Sequence, residues 1–487
     1  MTGLLPIFIL LTSLVPAAIT FFLRQESYRL RNALNLGGAV VKGALIVAML
    51  VAVAGGASFE TAIPLAPGLV LLLRIDALAL LFVSLSATLW LLTTIYAISY
   101  LGEKPEQSRF FGFFSLCVFA TTGIALSGSL ISFFIFFELL TLSTWPLVAH
   151  KQDAASLRAA RGYLLYALPC STILLVAIVW LESATGPILF TDPPDLSGVD
   201  PASLRVIFAL FIVGVGMKAA IIPLHGWLPA AMVAPAPVSA LLHAVAVVKA
   251  GAFGVIRVIY DVFGIERVAE LGVGTPLAAL ASFTIIWGSL RALQQTEIKK
   301  RLAYSTVSQV SYIILGVALA SPFAVIGGLA HLVHQGLMKI TLFFCAGIYD
   351  ERAGVRSIEG LDGLGRRMPW TSTCFSIGAL GMIGLPPIAG FVSKIYLGIG
   401  GLQAEAPWVL AVLGASTLLN AAYFVPLLYR LWFREIAPDA EADERAPALV
   451  GPAVAAALAA VLAGMLAASD ISPLGWATLI SERDYLE

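Results

Sequence analysis

The sequence predicts an all-α polytopic membrane protein, and three observations carry that expectation. Of 487 residues, 59% are hydrophobic and only 12% charged, with a mean hydropathy of +0.94, whereas a soluble chain carries roughly 25% charged residues. The apolar residues fall in runs long enough to cross about 30 Å of hydrocarbon. The connections between those runs alternate between basic-rich and basic-poor, as the positive-inside rule requires of a chain that crosses repeatedly. Disorder, a coiled coil and a secreted disulfide scaffold are excluded by the same numbers.

Fourteen runs qualify, at 4–23, 33–55, 76–100, 109–127, 129–149, 161–182, 203–224, 236–262, 272–291, 302–320, 322–348, 371–399, 406–430 and 447–469. Backbone polar groups in lipid must be satisfied within the segment, so each run is read as a helix. The first has no basic residue ahead of it and no small-residue cleavage site before Arg24, which predicts a retained helix and not a signal peptide. One set of connections holds Arg24, Arg29 and Arg31; Lys104 and Arg109; Lys151, Arg158 and Arg161; Arg291, Lys299, Lys300 and Arg301; Arg352, Arg356, Arg366 and Arg367; and Arg430, Arg434 and Arg445. The other set, with the helix ends facing it, holds only Arg74, Arg205, Arg257, Arg267 and Arg483, and its largest loop carries Asp192, Asp195 and Asp200. Both termini are therefore expected outside the cytoplasm, as an even helix count requires.

No connection is long enough for a soluble domain, and none carries a G-x-G-x-x-G or P-loop motif. Cys117, Cys170, Cys345 and Cys374 sit singly in apolar helices and read as small hydrophobes. No cofactor is expected.

Five basic residues remain inside predicted spans: Lys42, Lys218, Lys249, Lys339 and Lys394. Glu138 is their deeply embedded acidic counterpart. A charge at the centre of a spanning helix costs on the order of 2.5–3.5 kcal/mol on insertion scales, so a set this large points to function. Snorkelling to the interface is the alternative for each lysine. It fits Lys42, nine or ten residues into its predicted helix, but fits poorly for Lys218 and Lys249, which apolar residues flank for several turns. Lys339 is intermediate, and Lys394 follows a break and can line a cavity. An unpaired embedded Glu138 would simply protonate, so an ion pair between Glu138 and a lysine is expected.

Histidines join this set. His243 lies six residues before Lys249 on the eighth helix. At 100° per residue, His331 and His334 are 60° apart and Lys339 lies 80° to the other side of His331, so all three can face one polar seam. Histidine titrates near neutral pH and suits a relay. No carboxylate or cysteine follows the His331 and His334 pair on that face, and no metal is expected there. Two helices are interrupted: Lys218 is followed by Pro223, and Lys394 is preceded by Gly384-Leu385-Pro386-Pro387 and Gly390. Broken helices carrying an ionisable residue, one in each half, point to inverted repeats around a midplane ion site.

These residues also carry a family resemblance. Phe136-Phe137-Glu138-Leu139 resembles the acidic motif of the antiporter-like subunits shared by respiratory complex I, membrane-bound hydrogenases and Mrp-type cation/proton antiporters. The stretch Met217-Lys218 through Pro223-Leu224-His225-Gly226-Trp227-Leu228-Pro229, continuing from Ala234 to Ala244, is similar to the most specific block of that family. Residues 297–309, 334–347, 361–369 and 384–394 match further, and the resemblance covers about 75–480. Within the family the chain is most similar to the D-type component of Mrp antiporters and its hydrogenase-linked relatives. It lacks the C-terminal lateral helix of the longest members, and it has Lys394 where the M-type component of complex I usually carries a glutamate. It departs at Ala230-Ala231-Met232-Val233-Ala234, where many relatives begin the loop with polar residues, which leaves proton uptake near the seventh helix unassigned.

The resemblance implies two inverted five-helix repeats, helices 4–8 (106–265) and 9–13 (270–432), with helices 7 and 12 broken. Helices 1–3 (1–105) would precede them, and a cytoplasmic loop, helix 14 and a short tail (433–487) would follow. It implies that Glu138 and Lys218 form a coupling ion pair, that Lys249 bridges two half-channels and that Lys394 is the terminal lysine. His243, His331, His334 and Lys339 would carry protons between them. It further implies sodium/proton antiport by a chain that works with other membrane subunits, in the energised membrane of a prokaryotic cell. Sodium, potassium and protons alone stay open as the ions moved. So does a proton-pumping role within a redox complex, in which the chain would be a translocase without catalytic motifs of its own. No nucleic-acid partner is expected.

Overall fold

The computed structural model describes residues 2–191, 193–435, 443–444 and 446–485; Asp192 and Arg445 lie outside them. Among the described residues, twelve helices are long and apolar enough to cross a membrane, and two interrupted ones complete the fourteen read from the sequence. In chain order the spans are 1, Leu5–Phe22; 2, Tyr28–Ala54; 3, Ala77–Leu101; 4, Gln107–Ala125; 5, Leu130–Val148; and 6, Ala154–Thr185. Span 7 is Pro201–Gly216 with the break that follows it. Spans 8 to 11 are Ala236–Phe263, Gly274–Leu293, Ile298–Leu319 and Pro322–Ala353. Span 12 consists of Pro369–Ile383 and Ala389–Gln403, span 13 is Trp408–Phe433 and span 14 is Pro447–Met465.

Spans 4–8 and 9–13 form two units of five, each broken in its fourth member. Five crossings return the chain to the opposite side, so the second unit runs inverted relative to the first. Local sequence sets the ends. Asp76, Ser129, Asp153 and Asp200 each accept a hydrogen bond from the backbone N–H three residues on and cap spans 3, 5, 6 and 7, meeting donors that a helix start leaves unpaired.

Burial is graded. The most apolar windows of spans 8 and 11 are wholly enclosed, against 39% of span 1 and 28% of span 2. The polar residues of spans 8 and 11 are therefore the ones withdrawn furthest from lipid. Span 8, expected as one continuous helix, contains two π-helical stretches, Leu241–Val245 and Val258–Phe263, and His243 lies in the first. A π turn offsets side chains from the 100° step, so the direction of His243 does not follow from its position in the sequence.

Two elements depart from the all-helical expectation. Phe59–Ala66 and Leu69–Ile75 form an antiparallel hairpin, β1 and β2, with Phe59 opposite Ile75. Gly68, at φ +78°, supplies the turn. Backbone bonds from Arg74 to Leu126 (2.7 Å) and from Gly128 to Leu72 (2.9 Å) tie β2 to the connection between spans 4 and 5. The expected short tail instead folds back as a helix, Pro473–Ile480, and the Trp476 indole donates to the Ala77 carbonyl at 2.8 Å.

Candidate functional site

The first cluster is built by span 5 and the break of span 7. The helix stops at Gly216, so Lys218 stands in the break itself, ahead of Pro223. Its ammonium donates to the carbonyl of Phe137 and lies 3.3 Å from the centroid of that residue's ring. Glu138 is turned to the other side and accepts from the Ser171 hydroxyl of span 6. The direct Glu138 to Lys218 ion pair expected from the sequence is therefore not formed. The lysine bonds the backbone one residue before the glutamate, and the two charges stay within electrostatic reach of each other. Gly251 of span 8 makes this arrangement possible, because a Cβ there would lie 2.1 Å from the Ala219 nitrogen. Only glycine lets the break settle against span 8, two residues from Lys249.

The second cluster is the axis through spans 8, 10 and 11. Lys249, His243, His331, His334 and Lys339 are all fully buried. Lys249 lies within electrostatic reach of His331, His334 and Lys339, and Lys339 within reach of His243. The seam inferred from helical geometry thus assembles, with the span 8 residues placed beside those of span 11. Lys339 donates to the Leu302 carbonyl at 3.2 Å and to the Ser305 hydroxyl, so span 10 anchors it. His331 Nδ1 meets Ser393 Oγ at 2.8 Å. In contrast, the Lys249 ammonium, both ring nitrogens of His243 and the amides of Gln309 and Gln335 have no hydrogen-bond partner among the described residues. Buried polar groups left unpaired by protein call for water, so this stretch is chemically suited to a hydrated path.

Span 12 supplies the third cluster. Lys394 reaches back across the break and donates to the carbonyls of Met382 (3.0 Å) and Ile383 (2.8 Å), at the end of the preceding helical segment. Those carbonyls form the negative pole of that segment. Gly384, at φ +97°, ends it, and a Cβ at Gly384 would sit 2.8 Å from Lys394 Cδ. Asn420 of span 13 also donates to Met382 O, at 3.1 Å.

Lys42 corrects the snorkelling expectation. It is fully buried midway along the 27-residue span 2. Its ammonium donates to Ser13 at 3.0 Å and Thr122 at 2.7 Å and lies 5.0 Å from the centroid of the Trp90 ring. The layer recurs one heptad along, where Asn35 joins Thr20 and Ser115. Spans 1, 3 and 4 pack around Lys42 and supply the hydroxyls and the ring, so the ammonium has no need to reach the interface. Gln309 and Gln335 belong to the axis without having been expected there. The available signal was a glutamine next to His334 and another among the serines and threonine of residues 305–311 in span 10.

Fold and site together define a polytopic membrane subunit of two inverted five-helix units, with ionisable residues at both breaks and along the axis between them. The chain belongs to the NADH:quinone oxidoreductase/Mrp antiporter, TM family, whose sequence profile matches residues 127–420. It is 37% identical to NADH-quinone oxidoreductase subunit N of Desulforudis audaxviator, over 77% of this chain and 75% of that one. To the D component of the Na(+)/H(+) antiporter of Bacillus subtilis it is 30% identical, over 73% and 72%. Against some longer relatives it spans only about half their length. The fold matches a chain in the structure of the Mrp complex from Dietzia sp. DQ12-45-1b, with a TM-score of 0.88, 23% identity and coverage of 99% and 98%.

Proposed function

We propose that this chain is the proton-translocating member of a multisubunit membrane complex, exchanging a monovalent cation, sodium first, for protons. One observation carries the reading: buried titratable residues extend from Lys218 through Lys249 and the histidines to Lys394, and Lys249, His243 and His334 among them have no hydrogen-bond partner among the described residues. A charge kept in a low-dielectric interior without a fixed partner responds strongly to any neighbouring charge that arrives or leaves. Glu138 and Lys218 would be the switch, with Lys218 alternating between the Phe137 carbonyl and the carboxylate. Lys249 would bridge the unit at 106–265 and the unit at 270–432. His243, His331, His334 and Lys339 would pass the proton on, and Lys394 would be the last acceptor. The charge asymmetry of the loops supports a cell-membrane orientation with the basic face in the cytoplasm and both termini outside.

The direct test is cation-driven proton flux in vesicles carrying the assembled complex. Lys218→Ala and Glu138→Ala should each abolish it at normal expression, and undiminished flux in both would sink the mechanism. A second reading is favoured by the relative at 37% identity, which is named as a quinone oxidoreductase component: here the chain pumps protons inside a redox complex. Co-purification separates the two, since only the second brings along cofactor-bearing redox subunits.

A further inference from the structure

The loop before span 8 leads into the helix that carries His243, yet Ala231, Met232, Val233 and Ala234 provide no polar side chain. Polar groups reach this place from elsewhere. A cavity of about 320 Å³ opens beside the loop, lined by Met232, Val233, Lys151, Lys299, Asp350 and Arg356, and Ala346 forms part of its wall. A second cavity of about 640 Å³ shares Lys151, Asp350 and Arg356 with it. Asp350 is held by Arg356, Nε to Oδ1 at 2.6 Å.

At the inner end stands Lys299, half-buried at the start of span 10. Its ammonium donates to the Ala234 carbonyl at 2.5 Å and so pins the loop directly ahead of Pro235 and span 8. Ala346 of the cavity wall is one helical turn, about 4.5 Å of rise, beyond Phe343, whose ring lies 4.5 Å from that of His243, centroid to centroid. Lys299 is also, with Lys339, a cation within electrostatic reach of His243. The cavity wall thus lies one turn along span 11 from the ring that packs on His243, and the Lys299 to Ala234 bond ties down the loop beside it.

We infer that Lys299 is the latch of proton uptake in this chain: held on Ala234 O it shuts the cavity off from His243, and released toward Asp350 it opens the way. The proton arrives in cavity water and leaves to a ring nitrogen of His243, while Lys299 acts as a positioning residue through the loop. The inference rests on the translocation reading for its purpose, but the latch itself is observable without transport.

The experiment uses the full complex in vesicles and a small membrane-impermeant methanethiosulfonate bearing a quaternary ammonium, applied from each side in turn. Val233→Cys reports on the cavity, and Ala240→Cys, one turn before His243, on the space behind the latch. The parent chain, whose four thiols are buried, is the background. From the basic face, Val233→Cys should react whatever stands at 299. Ala240→Cys should be protected with Lys299, react at least about tenfold faster with Lys299→Ala, as loss of one charge-assisted hydrogen bond allows, and regain protection with Lys299→Arg. If Ala240→Cys does not assemble, Ala244→Cys replaces it. Equal protection in Lys299→Ala and the parent, or equal reactivity in both, overturns the latch. Normal flux in both Lys218→Ala and Glu138→Ala would instead overturn the translocation reading and leave the labelling result standing.

Discussion

The two broken helices hold their lysines in different ways. Lys218 reaches across to a neighbouring helix, where it takes one carbonyl of span 5 beside a carboxylate. Lys394 reaches back to its own span and takes two carbonyls at the end of the first segment. The first arrangement joins two helices and can change when Glu138 gains or loses a proton. The second bridges the halves of one helix and is set by backbone dipoles, which do not titrate. The same interruption thus makes a switch in one unit and a fixed seat in the other.

The largest effect should come from the glycine that seats the first lysine. Gly251→Ala forces a Cβ to within 2.1 Å of the Ala219 nitrogen, and overpacking of this kind costs roughly 1–3 kcal/mol. Thermal unfolding in detergent should shift down and flux should vanish together. Gly384→Ala meets the flexible Lys394 side chain instead, but at φ +97° an L residue is strained by about 1–2 kcal/mol through the backbone, so it should lower the unfolding temperature as well while displacing that lysine and only reducing flux. If Gly384→Ala abolishes flux as fully as Gly251→Ala, the contrast between switch and seat is wrong.

Lys394→Met leaves the Met382 and Ile383 carbonyls without the ammonium, and a lost buried partner costs about 1–3 kcal/mol. Lys249→Met should do the reverse: with no hydrogen-bond partner to lose among the described residues it should raise the unfolding temperature while stopping transport. A fall in stability for both would show that Lys249 has a partner in the assembled complex. Lys42→Met should cost about 1–3 kcal/mol as well, through Ser13 and Thr122, yet keep flux, because its contacts stay among spans 1 to 4.

The smallest effect concerns His150, in the connection between spans 5 and 6. Burial, then Arg109 and Lys151, lower its pKa to about 4. Between about pH 4 and the ordinary histidine value near 6.5 the unfolded chain binds the proton and the folded one does not, so stability from this group is present above 6.5 and lost as pH falls toward 4. His150→Gln should flatten the fall in unfolding temperature over that window, seen by scanning at about pH 4.5 and about pH 7.

Span number, the two breaks and the buried lysines were legible because lipid tolerates only long apolar runs, against which Lys218, Lys249 and Lys394 stand out; Arg31 and Arg257, assigned to the connections, are buried too, and Glu138, read as deeply embedded, is only half-buried. The hairpin at Phe59–Ala66 and Leu69–Ile75 was missed since it lies between spans, where the length rule is silent. Partners were less legible than positions. Lys42 was read as reaching for the interface and Lys249 as embedded, but both are buried: packing against spans 1, 3 and 4 gives Lys42 two hydroxyls and an aromatic face, whereas Lys249 faces other bases.

Composition and pattern alone therefore decide that this is a membrane protein of fourteen crossings with ionisable residues inside it, since the cost of a charge in hydrocarbon depends on where it sits along its own helix. Which of those residues are anchored and which stand without a protein anchor was decided only by tertiary structure. The atoms that anchor them, Phe137 O for Lys218 or Ser305 Oγ for Lys339, belong to other helices dozens of residues away. Helix packing brings them together, and no local rule encodes it.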